Sequence, residues 1–139
     1  LSLLAGAAPG LADSAAPASL AVTVTGIKNS KGVIRLALCP PDAGFPDCKT
    51  KVVRTASLPI AGGTASVTLT GLAPGRYAVS VFHDANSNNK LDTFAGIPKE
   101  GIGFSRNPSF SFGPPRFSQV VFVAQGEGTS QRVKIKYYL

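Results

Sequence analysis

The chain is 139 residues long and 44% hydrophobic, with 14 Lys and Arg against seven Asp and Glu, a formal charge of +7. That length is one domain with apolar material enough for a core, and one His with two Cys argues against a structural zinc site. The basic residues are scattered, densest at Lys49-Lys51-Arg54 and Arg132-Lys134-Lys136, so no nucleic-acid partner is expected. An anionic polysaccharide or an outer-membrane surface suits such a charge better.

Residues 1–19 are rich in Ala, Pro and Ser, and residues 1–12 resemble the apolar core and small-residue end of a secretory signal. They read as an N-terminal arm or signal-peptide remnant ahead of a domain at 20–139. No run is long and apolar enough to span a membrane. Strand patterns fall at 19–27, 33–39, 52–58, 64–70, 76–83, 117–124 and 131–139, separated by turn residues such as Lys28-Asn-Ser-Lys-Gly32 and Pro74-Gly75. In the fifth pattern Tyr77, Val79 and Val81 share one face. In the last, Val133, Ile135 and Tyr137 alternate with the basic residues. Residues 93–116 are irregular, and a segment so long is expected to be functional or a covering flap. Seven strands with turns between them predict an all-β fold, a seven-stranded antiparallel β-sandwich.

Cys39 and Cys48 sit nine apart around a Pro-rich turn segment. A disulfide suits that spacing and would contribute about 2–3 kcal/mol by closing a short loop. It implies an oxidising compartment: secreted, periplasmic or at the cell surface. Two unpaired thiols or half of a metal site are the alternatives.

The most informative stretch is Asp84-Ala85-Asn86-Ser87-Asn88-Asn89-Lys90-Leu91-Asp92. Its side-chain oxygens fall at positions 1, 3, 5 and 9 of a calcium loop of the EF-hand type. Asn89 takes position 6, where positive φ is needed. Lys90 would offer a carbonyl, and Leu91 would point inward as an anchor. Ala95 stands where the bidentate Glu belongs, and a strand precedes the loop where a helix should. Calcium on Asp84, Asn86, Asn88, Lys90 and Asp92, with Glu100 returning as a further ligand, is one reading. With two loop carboxylates the affinity would be weak, about 10⁻⁴–10⁻³ M. An Asx-rich hairpin loop bonded to its own backbone is the other.

PGRYAVSVFHDANSNNKLD (74–92), GIPKEGIGFS (96–105) and Gly113-Pro-Pro-Arg-Phe117 together resemble a bacterial family, domain of unknown function 2141. The resemblance implies an exported β-sandwich of immunoglobulin or transthyretin-like outline, from a family to which no activity is assigned. Asn89 stands where that family commonly has Gly, and the Cys39–Cys48 pair is not a general family feature.

Other candidate chemistry is thin. His83 beside Asp84 needs a nucleophile and an orienting acid. Ser80, Ser87 and Ser105 exist, but no nucleophile-elbow pattern does, so His83 reads as a strand-end residue that bonds the loop. Glu100 with Asp92 offers a carboxylate pair for glycoside hydrolysis, without a cleft pattern. Phe94, Phe104, Phe110, Phe112 and Phe117 read as apolar anchors closing one end of the sandwich. Gly96, Gly101 and Gly103 make tight turns, and no phosphate loop. The expected function is an exported, non-catalytic structural or adhesive module. A specific version is a filament built by other copies of the chain, with the N-terminal arm entering a neighbour's sheet edge. The alternative is a small-ligand or polysaccharide-binding module with a calcium-stabilised loop.

Overall fold

Strict alternation sets the first strand: Ala18, Leu20, Val22 and Val24 are buried, and the residues between them are half-buried. The computed structural model describes residues 16–46, 48–109 and 113–138. The elements in chain order are β1 (Ala18–Thr25), β2 (Val33–Cys39), β3 (Arg54–Leu58), β4 (Ala65–Leu72), β5 (Gly75–Asp84), β6 (Thr93–Phe94), β7 (Ile97–Pro98), β8 (Ile102–Phe104), α1 (Phe117–Val120), β9 (Phe122–Ala124) and β10 (Thr129–Lys134). Of the expected arm, residues 1–15 lie outside the described residues, as do Phe110 and Phe112. Ala18 and Ser19 already belong to β1.

The fold is all-β, as predicted. One sheet runs β9-β5-β2-β3, with β8 also on β5. The other runs β10-β1-β4. Their inner faces share one core: Leu20, Val22, Val24, Leu69 and Val133 with Ile34, Leu36, Leu38, Leu58, Val79 and Val81. Most pairs are antiparallel, but β10 runs parallel to β1, Thr129 opposite Leu20 through Lys134 opposite Thr25. One side of the sandwich is bridged by Ile102 and Lys136, which exchange backbone hydrogen bonds. On the other side Arg54 of β3 donates to the Thr70 carbonyl of β4 at 2.6 Å.

The predicted sixth strand is only half a strand, because α1 takes up residues 117–120. The reason is packing. Phe117 and Val120, three apart, lie on one side of a helical turn and join Ala78 and Phe104 over the outer face of β5. Phe45 from the Cys-bounded loop packs on Phe104 and Phe117, with ring centroids 5.5 and 6.2 Å away. Cys39 and Cys48 are disulfide-bonded and form a small apolar cluster with Ala43 beneath that loop.

The described part of the expected flap, residues 93–109 and 113–116, carries three short strands. β8 and β9 divide one edge of β5: β9 pairs with residues 75–77 and β8 with 80–82. Ser105 fills the gap between them. Its amide donates to the Val79 carbonyl at 3.0 Å, its hydroxyl accepts the Val79 amide at 3.0 Å, and the same hydroxyl donates to the Val120 carbonyl at 2.6 Å. Gly101 and Gly103 turn a side-chain-free face toward the far sheet. A Cβ on Gly101 would stand 2.3 Å from Ile135 Cγ2, and one on Gly103 2.8 Å from Val133 Cγ1.

Candidate functional site

β5 ends in His83-Asp84, and the Asx-rich loop leaves from there. Alternation sends His83 inward and Asp84 outward. Both are buried, at 1% and 0% exposure. A buried charge must be paired and hydrogen-bonded. Asp84 Oδ1 accepts the Asn88 amide at 3.2 Å, and Oδ2 accepts the Asn89 amide at 2.8 Å and Arg35 Nε at 2.9 Å. The loop therefore folds back over its own first carboxylate. Ser87 and Asn89 take φ of 56° and 62° to allow it, which is the role expected of Asn89.

Glu100 closes the other end. Its Oε2 accepts the Ala85 amide at 3.0 Å and its Oε1 the Asp92 amide at 3.1 Å. One buried carboxylate thus pins both ends of the loop. Leu91 does not anchor it. Expected to point inward, Leu91 is 39% exposed, and hydrogen bonds to Asp84 and Glu100 do the anchoring instead.

Asn86, Asn88 and Asp92 meet above this frame. Asp92 accepts Asn86 Nδ2 at 2.9 Å and Asn88 Nδ2 at 3.0 Å. Those two amides, with Lys99 and Lys90 adding to them, hold the Asp92 carboxyl below the ordinary carboxylate range. Asn88 Oδ1 accepts the Lys90 amide at 3.0 Å. Of the six expected calcium ligands, then, three side chains converge, while Asp84 and Glu100 spend all four carboxylate oxygens on the frame. Among the described residues no group of three or more His, Cys, Asp or Glu is assembled to hold a metal ion. A half-turn of the two Asn amides would aim their oxygens beside the Asp92 carboxylate, a three-oxygen, singly charged donor set for a weakly held hard cation, at the expense of the Asn88 and Lys90 amides that those oxygens now accept.

His83 is joined to Tyr137, which the alternation had left as an ordinary inward residue. His83 Nδ1 lies 2.8 Å from the Tyr137 hydroxyl, and Nε2 lies 2.7 Å from the Lys31 carbonyl. The carbonyl only accepts, so Nε2 carries the proton. The Tyr137 hydroxyl in turn accepts the Lys28 amide at 3.0 Å. Burial raises the Tyr137 pKa, against the pull of that amide. Ser105 is engaged at the β8–β9 gap, Ser80 lies on the outer face, and Ser87 is in the loop tip. No hydrogen bond joins any of them to His83 among the described residues. Glu100 and Asp92 meet through a backbone amide, the Asp92 N–H donating to Glu100 Oε1.

Arg35 and Gly32 escaped the sequence reading. Arg35 was one of many scattered cations, and only the register of β2 on β5 shows it beside Asp84. A Cβ on Gly32, at φ +68°, would stand 2.0 Å from the Asp84 carbonyl, so the 26–32 turn seats directly against the Asx loop. Phe94 is not one of the apolar anchors, since it is 67% exposed on the β6–β7 hairpin. Over the outer face of β2, β3 and β5 runs a groove of about 490 Å³, lined by Arg35, Ala37, Ser57, Ser80 and Phe82 among others.

A family model, described as an uncharacterized protein conserved in bacteria (DUF2141), matches residues 22–132. The chain belongs to DUF2141. Comparison with curated proteins and with solved structures finds no match. The DUF2141 match takes in the whole Asx loop, its frame of Arg35, Asp84 and Glu100, and both cysteines; Tyr137 lies beyond it. In this DUF2141 protein the disulfide points to an extracytoplasmic setting. No helix among the described residues is long and apolar enough to cross a membrane.

Proposed function

We propose that this chain is an exported structural or adhesive module, non-catalytic, working at the bacterial cell surface as a rigid body that presents its loop pole. One observation carries the reading. The four buried polar residues of the described chain are His83, Asp84, Glu100 and Ser105. All of them had been candidates for chemistry, and each holds backbone in place instead. Groups tied to fixed amides and carbonyls stiffen a shape, and moving them during a reaction would leave those amides unpaired. Calcium at Asn86, Asn88 and Asp92 would be a stabiliser of that shape. Self-association through the N-terminal segment belongs to the same proposal. β3 and β4 each have one edge without a ladder partner among the described residues, which is where an added strand would pair.

The test is binding of the purified chain to bacterial envelope fractions, beside Asp84→Ala, which releases the loop. The expected result is binding that the variant loses while its sheets stay folded. Substrate turnover abolished by His83→Gln or Glu100→Gln would replace the reading with an enzymatic one. The groove over Arg35 supports a second reading, a saccharide-binding module. Arg35 gives Nε to Asp84 and Nη1 to Ser57, and the rest of its guanidinium fork is left for an acidic ligand.

A further inference from the structure

Exposed apolar side chains that gather into one patch mark contact surfaces, where single ones do not. The β6–β7 hairpin carries Phe94 at 67% and Ile97 at 43% exposure, with Leu91 just before it at 39%. Phe94 and Ile97 are direct cross-strand partners, so their side chains share one face. Ala95 and Gly96 turn the chain at φ 53° and 82°, the two positive values of a tight two-residue hairpin. A Cβ on Gly96 would meet nothing within 4 Å, so the turn projects into open space. The base is fixed: the Lys99 amide donates to the Asp92 carbonyl at 2.8 Å, and Glu100 holds the Asp92 amide. The wedge is therefore held at a set angle by the buried carboxylate beneath it.

Charge decides what it meets. Lys90 and Lys99 flank the hairpin, with Asp92 between them already bound by two Asn amides. The whole chain carries +7. A second copy would bring like charge against like. An anionic lipid surface offers phosphates to the lysines and an acyl boundary to the ring. We propose that the 93–98 hairpin is a docking wedge for an anionic bilayer surface, with Phe94 and Ile97 entering below the headgroups while Lys90 and Lys99 lie among the phosphates. This rests on the adhesive reading and supplies the surface for it.

The chain has no Trp, so Phe94→Trp in the full chain places a single reporter at the tip. Its emission should shift to shorter wavelength with phosphatidylglycerol-containing vesicles and stay unchanged with phosphatidylcholine alone. In vesicle flotation, Phe94→Ser with Ile97→Ser should weaken binding about tenfold or more, and Lys90→Gln or Lys99→Gln about fivefold each. An emission unmoved by anionic vesicles, or moved equally by both kinds, overturns the proposal. So does a shift that grows with protein concentration in lipid-free buffer, which assigns the tip to a second copy. Envelope binding that survives Phe94→Ser with Ile97→Ser overturns the wedge and leaves the adhesive reading standing.

Discussion

Arg35 and Asp84 are diagonal neighbours on β2 and β5, and the Arg35 Nε–H donates to Asp84 Oδ2 at 2.9 Å. Asp84 is wholly buried while Arg35 is partly open to water, with a side-chain exposure of 26%. Removing the cation leaves a buried carboxylate held only by two amides. Arg35→Ala is expected to cost about 2–3 kcal/mol in urea unfolding. Arg35→Lys should recover only part, since an ammonium lacks the fork that reaches Asp84 and Ser57 together. An unchanged unfolding midpoint in Arg35→Ala would mean that the two loop amides alone hold the Asp84 carboxylate.

Gly101 and Gly103 are required by their neighbours. A Cβ on Gly101 would approach Tyr137 Cε2 to 2.6 Å as well as Ile135, and one on Gly103 would approach the Lys134 carbonyl to 2.9 Å. Gly101→Ala and Gly103→Ala should each cost about 1–3 kcal/mol, the range for overpacking. Gly128 faces open space without a positive φ, so Gly128→Ala should stay within about 0.5 kcal/mol of the parent. Thermal melting of the three variants distinguishes close approach from a general dislike of substitution at Gly.

Reduction of Cys39–Cys48 should lower stability by about 2–3 kcal/mol, from the loop entropy returned to the unfolded chain. The first tertiary contacts to go should be those of Phe45 with Phe104 and Phe117. Hydrogen exchange across residues 40–49 and 117–120, with and without reductant, reads this directly. Equal protection in both forms would mean that Phe45 holds the flap without the bond.

Asp92 sets an acid limit on the loop tip. Its folded carboxyl sits below the ordinary value of 3.8, so the folded state binds its proton less tightly than the unfolded state does. The stabilisation is therefore complete above pH of about 4 and is lost as pH falls through the lowered folded value. The side-chain amide signals of Asn86 and Asn88 should move together over that acid range, and Asp92→Asn should abolish the step. A step that persists in Asp92→Asn would belong to another group.

Calcium, if it uses Asn86, Asn88 and Asp92, must raise the melting midpoint, because it binds only the folded loop. At tenfold excess over the dissociation constant the gain is about 1.4 kcal/mol. The response should vanish with a chelator and in Asp92→Ala. A flat midpoint at millimolar calcium would leave the loop to its own hydrogen bonds.

The strands were legible where alternation was strict. β2 matches its predicted span of 33–39, and β5 differs from its prediction by one residue at each end. α1 was not legible, since Phe117 and Val120 answer to Phe104 and Phe45 across the outer face, contacts that no local period records. The parallel partner of β1 was hidden for the same reason. In the site, the Asx spacing identified the loop and the positive φ of Asn89. It could not show that Asp84 and Glu100 face the amides, because that depends on Glu100 returning from the flap. Arg35 and Tyr137 lie 49 and 54 residues from their partners Asp84 and His83, beyond the reach of any local pattern.

The pairing of β1 with β10 has a consequence for how the protein is made. The β10-β1-β4 sheet has its first strand in chain order in the middle, flanked by β4 and by a strand some hundred residues later in the chain. While a ribosome or a translocation pore still holds residues 129–134, β1 has one neighbour and Val133 has not reached the core. The β10-β1-β4 sheet closes only once residues 129–134 are free, so until they emerge the nascent polypeptide lacks one side of its core.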